Sequence, residues 1–280
     1  MNITVLAENS VCTENTRNVE PEHGISLFIE SDERRILFDT GQSDLFVHNA
    51  AKLGIDLSEV DYAVVSHGHF DHGGGLRHFL RINEKAKIYV HRLAFHPYYT
   101  RISGLIPYYI GLDQKILTRN ADRIRLIDQD FLIEPGIQLL EGFPSTFPQP
   151  EANSTLFVKR GKQLVPDGFR HEMAMLMKEG DTRVLFTGCS HSGITNIIEK
   201  AMGFSKETEI KAVFGGFHIH NPISKKNESR DYIEKLIAGL QSADSVFYSG
   251  HCTGEDNFKL LQVSLGSRIR TMSTGEVILI

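Results

Sequence analysis

Cysteine is scarce in this chain. Cys12, Cys189 and Cys252 are the only three, an odd and scattered set that excludes a disulfide framework and fits a reducing cytoplasm. No apolar run approaches membrane-spanning length. The opening Met1-Asn2-Ile3-Thr4-Val5-Leu6-Ala7-Glu8 lacks the basic start and long apolar core of a secretory signal. Positive charge is not in excess either. The formal net charge is -5, and no basic stripe marks a nucleic-acid surface. The partner expected is therefore a small molecule, with neither nucleic acid nor membrane. The oligomeric state is left open. Also missing are a serine-nucleophile motif and a glycine-rich phosphate loop ending in Lys-Ser/Thr. Whatever chemistry the chain performs has to come from other groups.

The composition is that of an ordinary globular protein. The chain has 280 residues, 41% hydrophobic and 23% charged, enough to bury a sizeable core. No linker or low-complexity stretch divides it, so one domain over 1–280 is expected. Strands are predicted at 3–6, 26–29, 35–38, 62–65 and 87–90, with a helix over 44–53. Leu76, Phe79 and Leu80 share the spacing of one helical face. Residues 92–120 break this rhythm and read as a helix and loop insertion. Its aromatic residues either stack on a flat substrate ring or simply pack the insertion. Strand-like runs resume near Leu126, at 137–140 and at 156–159. The proline-bearing stretch 142–153 reads as a loop.

What the chain does contain is histidine in a dense pattern. Ser66-His67-Gly68-His69-Phe70-Asp71-His72-Gly73-Gly74-Gly75 follows the apolar run Tyr62-Ala63-Val64-Val65. Three imidazoles and a carboxylate within six residues, at the exit of a buried strand, form a metal-ligand set. They outnumber the three protein ligands that one catalytic tetrahedral ion takes, which implies two ions.

The second half repeats the grammar of strand followed by a Gly/His loop. Phe186-Thr187 runs into Gly188-Cys189-Ser190-His191, Val213-Phe214 into Gly215-Gly216-Phe217-His218, and Phe247-Tyr248 into Ser249-Gly250-His251-Cys252. Short connections place such loops along one sheet edge, where α/β folds bind ligands. His191 and His251 are the expected further metal ligands. His218 fits either a structural role or, within the site, substrate contact or proton transfer. Cys189 fits either a thiolate ligand or a small buried residue at a tight turn. Asp39, at the strand end Asp39-Thr40-Gly41, either holds a ligand imidazole through a hydrogen bond or forms a turn. His23 in Glu22-His23-Gly24 is ambiguous in the same way. Imidazole plus carboxylate suits zinc, iron and manganese alike, with zinc the leading expectation. A dinuclear site of this kind acidifies a water, giving a metal-bound hydroxide able to attack carbonyl carbon or phosphorus. Asp71 would orient it.

On these residues the chain resembles the metallo-β-lactamase superfamily. His67-x-His69-x-Asp71-His72 matches its signature, and Asp39-Thr40-Gly41 resembles its Asp-x-Gly turn. Ser249-Gly250-His251 looks like its last ligand motif. Thr187-Gly188-Cys189 stands where most members carry a bridging aspartate. The resemblance implies an α/β fold, the αββα sandwich of two mixed β-sheets face to face with helices outside. Glu22-His23-Gly24-Ile25-Ser26 and the three later Gly/His loops further resemble the dihydropterin ribofuranosyl-aminobenzene phosphate synthase-like subfamily, in which an acidic pair often stands where this chain has His171-Glu172. The expected activity is metal-dependent hydrolysis of a small phosphorylated or pterin-like substrate. The alternatives are a synthase-type condensation and, from another class, a metal-binding redox or sensor protein. The chain has no flavin module to serve the last.

Overall fold

The computed structural model describes residues 1–31, 34–102, 104–204, 209–221 and 225–280. The chain gathers into two compact units. The first comprises Met1–Tyr98, Tyr109–Asp128 and Met272–Ile280, and the second Tyr99–Tyr108 and Gln129–Thr271. No linker signals this division, because the chain passes from the last internal strand of the first unit, ending at Ile127, to a strand starting at Phe131.

The first unit is built on a seven-stranded mixed sheet. Strands β1 (Asn2–Ala7), β2 (Ser26–Glu30) and β3 (Arg35–Phe38) form an antiparallel meander, with Val277–Leu279 on the outer side of β1. Then β4 (Tyr62–Val65), β5 (Lys87–His91) and β6 (Ile124–Ile127) follow in parallel. Helix α1 (Leu45–Leu53) carries the chain from β3 to β4, and α2 (Phe70–Gly73) and α3 (Leu76–Ile82) carry it from β4 to β5. Leu27, Phe28, Ile29, Ala63, Val64 and Val65 are all buried, so both faces of these strands are covered. This explains why they read as continuous apolar runs rather than alternating ones. Phe46 of α1 and Leu76 and Phe79 of α3 join Val65, Ile88 and Val90 in one apolar cluster. Parallel pairing has a direct consequence for function. The carboxyl ends of β3 and β4 open on the same sheet edge, bringing Asp39 beside Ser66.

The second unit repeats the plan. Strands β7 (Phe131–Glu134), β8 (Ile137–Glu141), β9 (Met173–Glu179) and β10 (Thr182–Phe186) are antiparallel, and β11 (Ile210–Phe214), β12 (Val246–Ser249) and β13 (Ile269–Thr271) continue in parallel from β10. Helices α5 (Ile194–Gly203), α6 (Arg230–Ser242) and α7 (Glu255–Leu265) make the three crossovers; α4 (Gln114–Arg119) belongs to the first unit. Ile194, Ile197 and Ala201 of α5, Leu236 and Leu240 of α6, and Phe258 and Leu261 of α7 form its apolar cluster. The face of α5 that carries these residues is therefore the buried one. Phe186 pairs with Phe214, and Phe214 with Tyr248, so the three Gly/His loops leave the sheet at one level.

Residues 92–120 contain a helix, α4, as expected, but differ from the expected loop in the remainder. Tyr98–Ile102 and Ile106–Tyr109 are strands, joined with Leu156–Arg160 and Gln163–Pro166 in a four-stranded sheet. Alternating burial of Tyr98, Tyr99, Thr100 and Arg101 is the strand signature. Gly104, at φ 73, supplies the left-handed turn residue. β9 went unpredicted because Met173-Ala174-Met175-Leu176-Met177 has no period; pairing on both sides between β8 and β10 makes it a strand. Among the described residues no helix is long and apolar enough to cross a membrane.

Truncating Phe79, fully buried in the first cluster, to alanine should lower the unfolding free energy by about 3–5 kcal/mol. Urea unfolding of F79A against the unaltered protein measures this.

Candidate metal centre

In the first unit the site begins with Asp39. It leaves β3 with φ 58, a left-handed conformation that a non-glycine residue seldom adopts. Its own N–H donates to Val64 O at 2.8 Å, which holds it against β4. The carboxylate, wholly buried, collects three donors at 2.7 Å: the Ser66 N–H on Oδ1, and the Ser66 hydroxyl and His72 Nδ1 on Oδ2. An ionised carboxylate only accepts, so His72 Nδ1 carries the proton and Nε2 keeps its lone pair for a ligand. Asp39 thus combines its two expected parts, a turn residue at the strand end and a hydrogen-bond partner of His72, a candidate ligand. The next residue strengthens the tie, with Thr40 N–H donating to His72 O at 2.7 Å.

The other imidazoles close on the same point. Ser66 Oγ lies 2.9 Å from His67 Nδ1, and His67 Nε2 lies 3.1 Å from His69 Nδ1. The rings of His67 and His72 are 4.2 Å apart. Tyr98 stands edge-on to His69, centroids 5.8 Å apart, so this aromatic of the 95–109 segment packs the site wall. Ligand atoms of His67, His69 and Asp71 all lie within 4.8 Å of one another. Asp71 Oδ2 is 3.9 Å from His72 Nε2 and 3.3 Å from His23 Nε2, which draws the ambiguous His23 to the cluster. The strap carrying His23 lies directly on Asp71: Ile25 N–H donates to Asp71 O, and a Cβ on Gly24 would sit 2.2 Å from that oxygen. Only glycine fits there. Three imidazoles and a carboxylate converging in a buried pocket fit a divalent ion of borderline softness.

In the second unit the three loops after β10, β11 and β12 hold the remaining candidates. Ser190, His218 and His251 have φ values of 61, 48 and 49. With Asp39, that puts left-handed non-glycine residues in four strand-end loops, where strain of about 1–3 kcal/mol each marks functional positions. His191 is fixed on three sides. Its Nδ1 is 2.9 Å from Asn153 Oδ1, the Asn153 amide donates to its carbonyl at 2.8 Å, and its ring stacks on Phe169 with centroids 4.4 Å apart. Glu172 holds the loop backbone, accepting from the N–H groups of His191 and Ser192, both at 2.7 Å. Burial raises the Glu172 carboxyl above its ordinary value, with the hydrogen bonds from Ser192 and His191 opposing.

His218 is 4.1 Å from His191 ring to ring, and among the described residues neither of its buried nitrogens finds a nitrogen or oxygen partner; the Cys252 thiol is the polar group beside it. Beside it lie Cys189 and Cys252, with ligand atoms of all three within 4.8 Å. Burial alone would raise the Cys252 thiol. The hydrogen bond with Cys189 and the neighbouring imidazoles of His251 and His218 outweigh it and hold the thiol well below its ordinary range.

All seven predicted site residues thus sit at strand carboxyl ends: His67, His69, Asp71 and His72 together in the first unit, His191, His218 and His251 in the second. Asn153 and Cys252 were missed as site residues, and Glu172 was noted only as a departure from a pattern. Asn153 lies in a proline-rich loop without any motif. Cys252 had a signal, adjacency to His251, that spacing alone did not distinguish from a buried structural thiol.

The sequence profile of the metallo-beta-lactamase superfamily matches residues 20–193. An uncharacterized protein of Methanocaldococcus jannaschii is 33% identical over 239 residues, 83% of this chain and 84% of that one. The 7,8-dihydropterin-6-methyl-4-(beta-D-ribofuranosyl)-aminobenzene-5'-phosphate synthase of the same organism is 26% identical over 271 residues, 92% of this chain and 90% of that one. A crystal structure of a metal-dependent hydrolase of the beta-lactamase superfamily covers 100% of this chain and 99% of its own, with TM-score 0.83 and 30% identity.

Asp39→Ala should weaken divalent-metal affinity about 10–100-fold, because His72 loses the partner that orients it. Competition against a chelating dye reads this directly. A raised Glu172 pKa means the folded state holds that proton more tightly than the unfolded chain. The stability it contributes is present at or below its ordinary value of 4.5 and is lost as pH rises from there through the raised value. In urea titrations of metal-free protein, the unaltered chain should lose stability over that window more steeply than E172Q.

Proposed function

Because the chain belongs to the metallo-beta-lactamase superfamily, we propose that it is a metal-dependent hydrolase of a small phosphorylated or pterin-like molecule. It would hold two divalent ions, zinc foremost, through His67, His69, Asp71, His72, His191 and His251. The observation that carries this reading is the Asp39-anchored cluster, in which a buried carboxylate orients one imidazole beside two others and Asp71. Such ions, when bound, lower the pKa of a water and stabilise developing negative charge on carbonyl or phosphoryl oxygen. The chain's own groups do the positioning. Asp39 and Ser66 fix His72 and His67; Asn153 and Phe169 fix His191. Asp71, steadied by His23, orients the attacking water and takes up its proton. The similar crystal structure is that of a metal-dependent hydrolase, which supports the reaction type. The pterin, ribosyl and phosphate groups in the name of the similar synthase support the substrate class.

That same synthase, similar over 92% of this chain, favours a second reading. The ions would then polarise a substrate for condensation.

Chelation should abolish turnover of a phosphoester panel, and added zinc or manganese should restore it. Replacing His67 and His69 together by alanine should cost more than the roughly 10–100-fold that loss of an outer hydrogen-bond partner costs. Full turnover without metal, unaltered in the double variant, would overturn the hydrolase reading. Product from a pterin plus a ribosyl-aminobenzene phosphate, with no ester cleaved, would establish the condensation instead.

A further inference from the structure

We propose that Cys189, His218 and Cys252 form a sulfur-rich ligand set that binds a soft divalent ion such as zinc or cadmium. This goes beyond the histidine and aspartate ligands assigned above and does not depend on the reaction being hydrolysis.

Three adjacent parallel strands supply the donors. Cys189 follows β10, His218 follows β11 and Cys252 follows β12, from loops that leave the sheet at one level. The loops are stapled to each other. Gly216 N–H donates to Gly188 O at 2.8 Å, and Phe217 N–H donates to Thr253 Oγ1 at 3.0 Å. The Ser249 hydroxyl lies 2.7 Å from the same Thr253 oxygen, tying the third loop to its own strand. A rigid frame thus presents the three side chains, and none needs a large movement to converge.

Their spacing suits one ion. The ligand atoms lie within 4.8 Å of one another. Metal bonds of about 2.3 Å to sulfur and 2.0–2.1 Å to nitrogen put tetrahedral ligands roughly 3.5–3.8 Å apart. A contraction of at most about 1.3 Å closes the set. Space has been kept for the second sulfur: a Cβ on Gly216 would lie 2.4 Å from Cys252 Sγ, so any side chain there would push the thiol out.

His218 supplies the independent indication that something binds. It is 7% exposed, and among the described residues neither ring nitrogen finds a nitrogen or oxygen partner, the polar group it faces being the Cys252 thiol. Burying an imidazole so is unfavourable, and its left-handed backbone at φ 48 adds to the cost. An ion accepting the lone pair of its unprotonated nitrogen offsets both. This assigns His218 to ligation, where the sequence suggested either a structural role or, within the site, substrate contact or proton transfer. Two thiolates and one imidazole favour zinc or cadmium over magnesium, calcium or manganese. On binding, each cysteine S–H gives its proton to solvent and its sulfur lone pair to the ion.

The test uses the full chain, reduced, stripped by chelation and reloaded with cobalt(II) without oxygen. Bound cobalt is measured beside the near-ultraviolet thiolate-to-cobalt charge-transfer absorption. The unaltered protein should show the intensity of two thiolates on one ion, C252S about half of it, and the C189S/C252S double variant none. C12S should match the unaltered protein. Cobalt-loaded protein with no band, or with one thiolate's intensity, overturns the proposal, and so does a band unchanged in C252S. Should C252S not fold, the intensity in the unaltered protein decides alone. The variant lacking His67 and His69 separates the two readings. A band retained there while hydrolysis is lost upholds this site, whereas hydrolysis in an unaltered chain that shows no band removes this site and leaves the hydrolase reading standing.

Discussion

A single buried carboxylate organises the first unit of this protein. Asp39 accepts from the Ser66 backbone, the Ser66 hydroxyl and the His72 ring, each at 2.7 Å. These are charge-assisted hydrogen bonds in a site closed to water, among the strongest non-covalent contacts a protein makes. They fasten the end of β3 to the end of β4 and to α2 beyond it. Without them, nothing would choose which nitrogen of His72 carries its proton, and the ligand loop would lose its anchor. The left-handed backbone of Asp39 follows from the same demand, since the turn has to aim the carboxylate across at the neighbouring strand.

The second unit meets a similar need with different groups. Glu172 holds the His191 loop by two backbone N–H groups, and Asn153 with Phe169 sets the ring. Burying Glu172 raises its pKa, so the loop is held at an electrostatic cost, one that polar surroundings only partly relieve. Left-handed non-glycine residues and buried imidazoles gather in the strand-end loops, above apolar clusters of helix and strand residues. That division is expected where a rigid scaffold positions chemistry on its loops.

Much of the site could be read from the residues in order. His67, His69, Asp71 and His72 are legible because one short loop carries all of them, and sequence spacing there equals spatial spacing. The strands and helices around them were legible because their apolar patterns are local. Asn153 was not legible, because it reaches His191 from 38 positions away, out of a loop whose composition says only that it is a loop. The role of Glu172 depends on its distance to two N–H groups, which no motif encodes. The strands at 98–102 and 106–109 were hidden by aromatic residues that serve loops and strands equally well, and β9 by methionines without a period.

The sequence by itself determined the family resemblance, the run of candidate ligands and the strand-then-Gly/His-loop grammar. Those depend on contiguous residues. Tertiary structure alone decided that Asp39 orients His72, that His23 adjoins Asp71, and that Cys252 stands beside Cys189 and His218. Each of those joins groups brought together by strand pairing. Hydrogen-bond distance, burial and ligand spacing are properties of the folded pair and of neither residue alone.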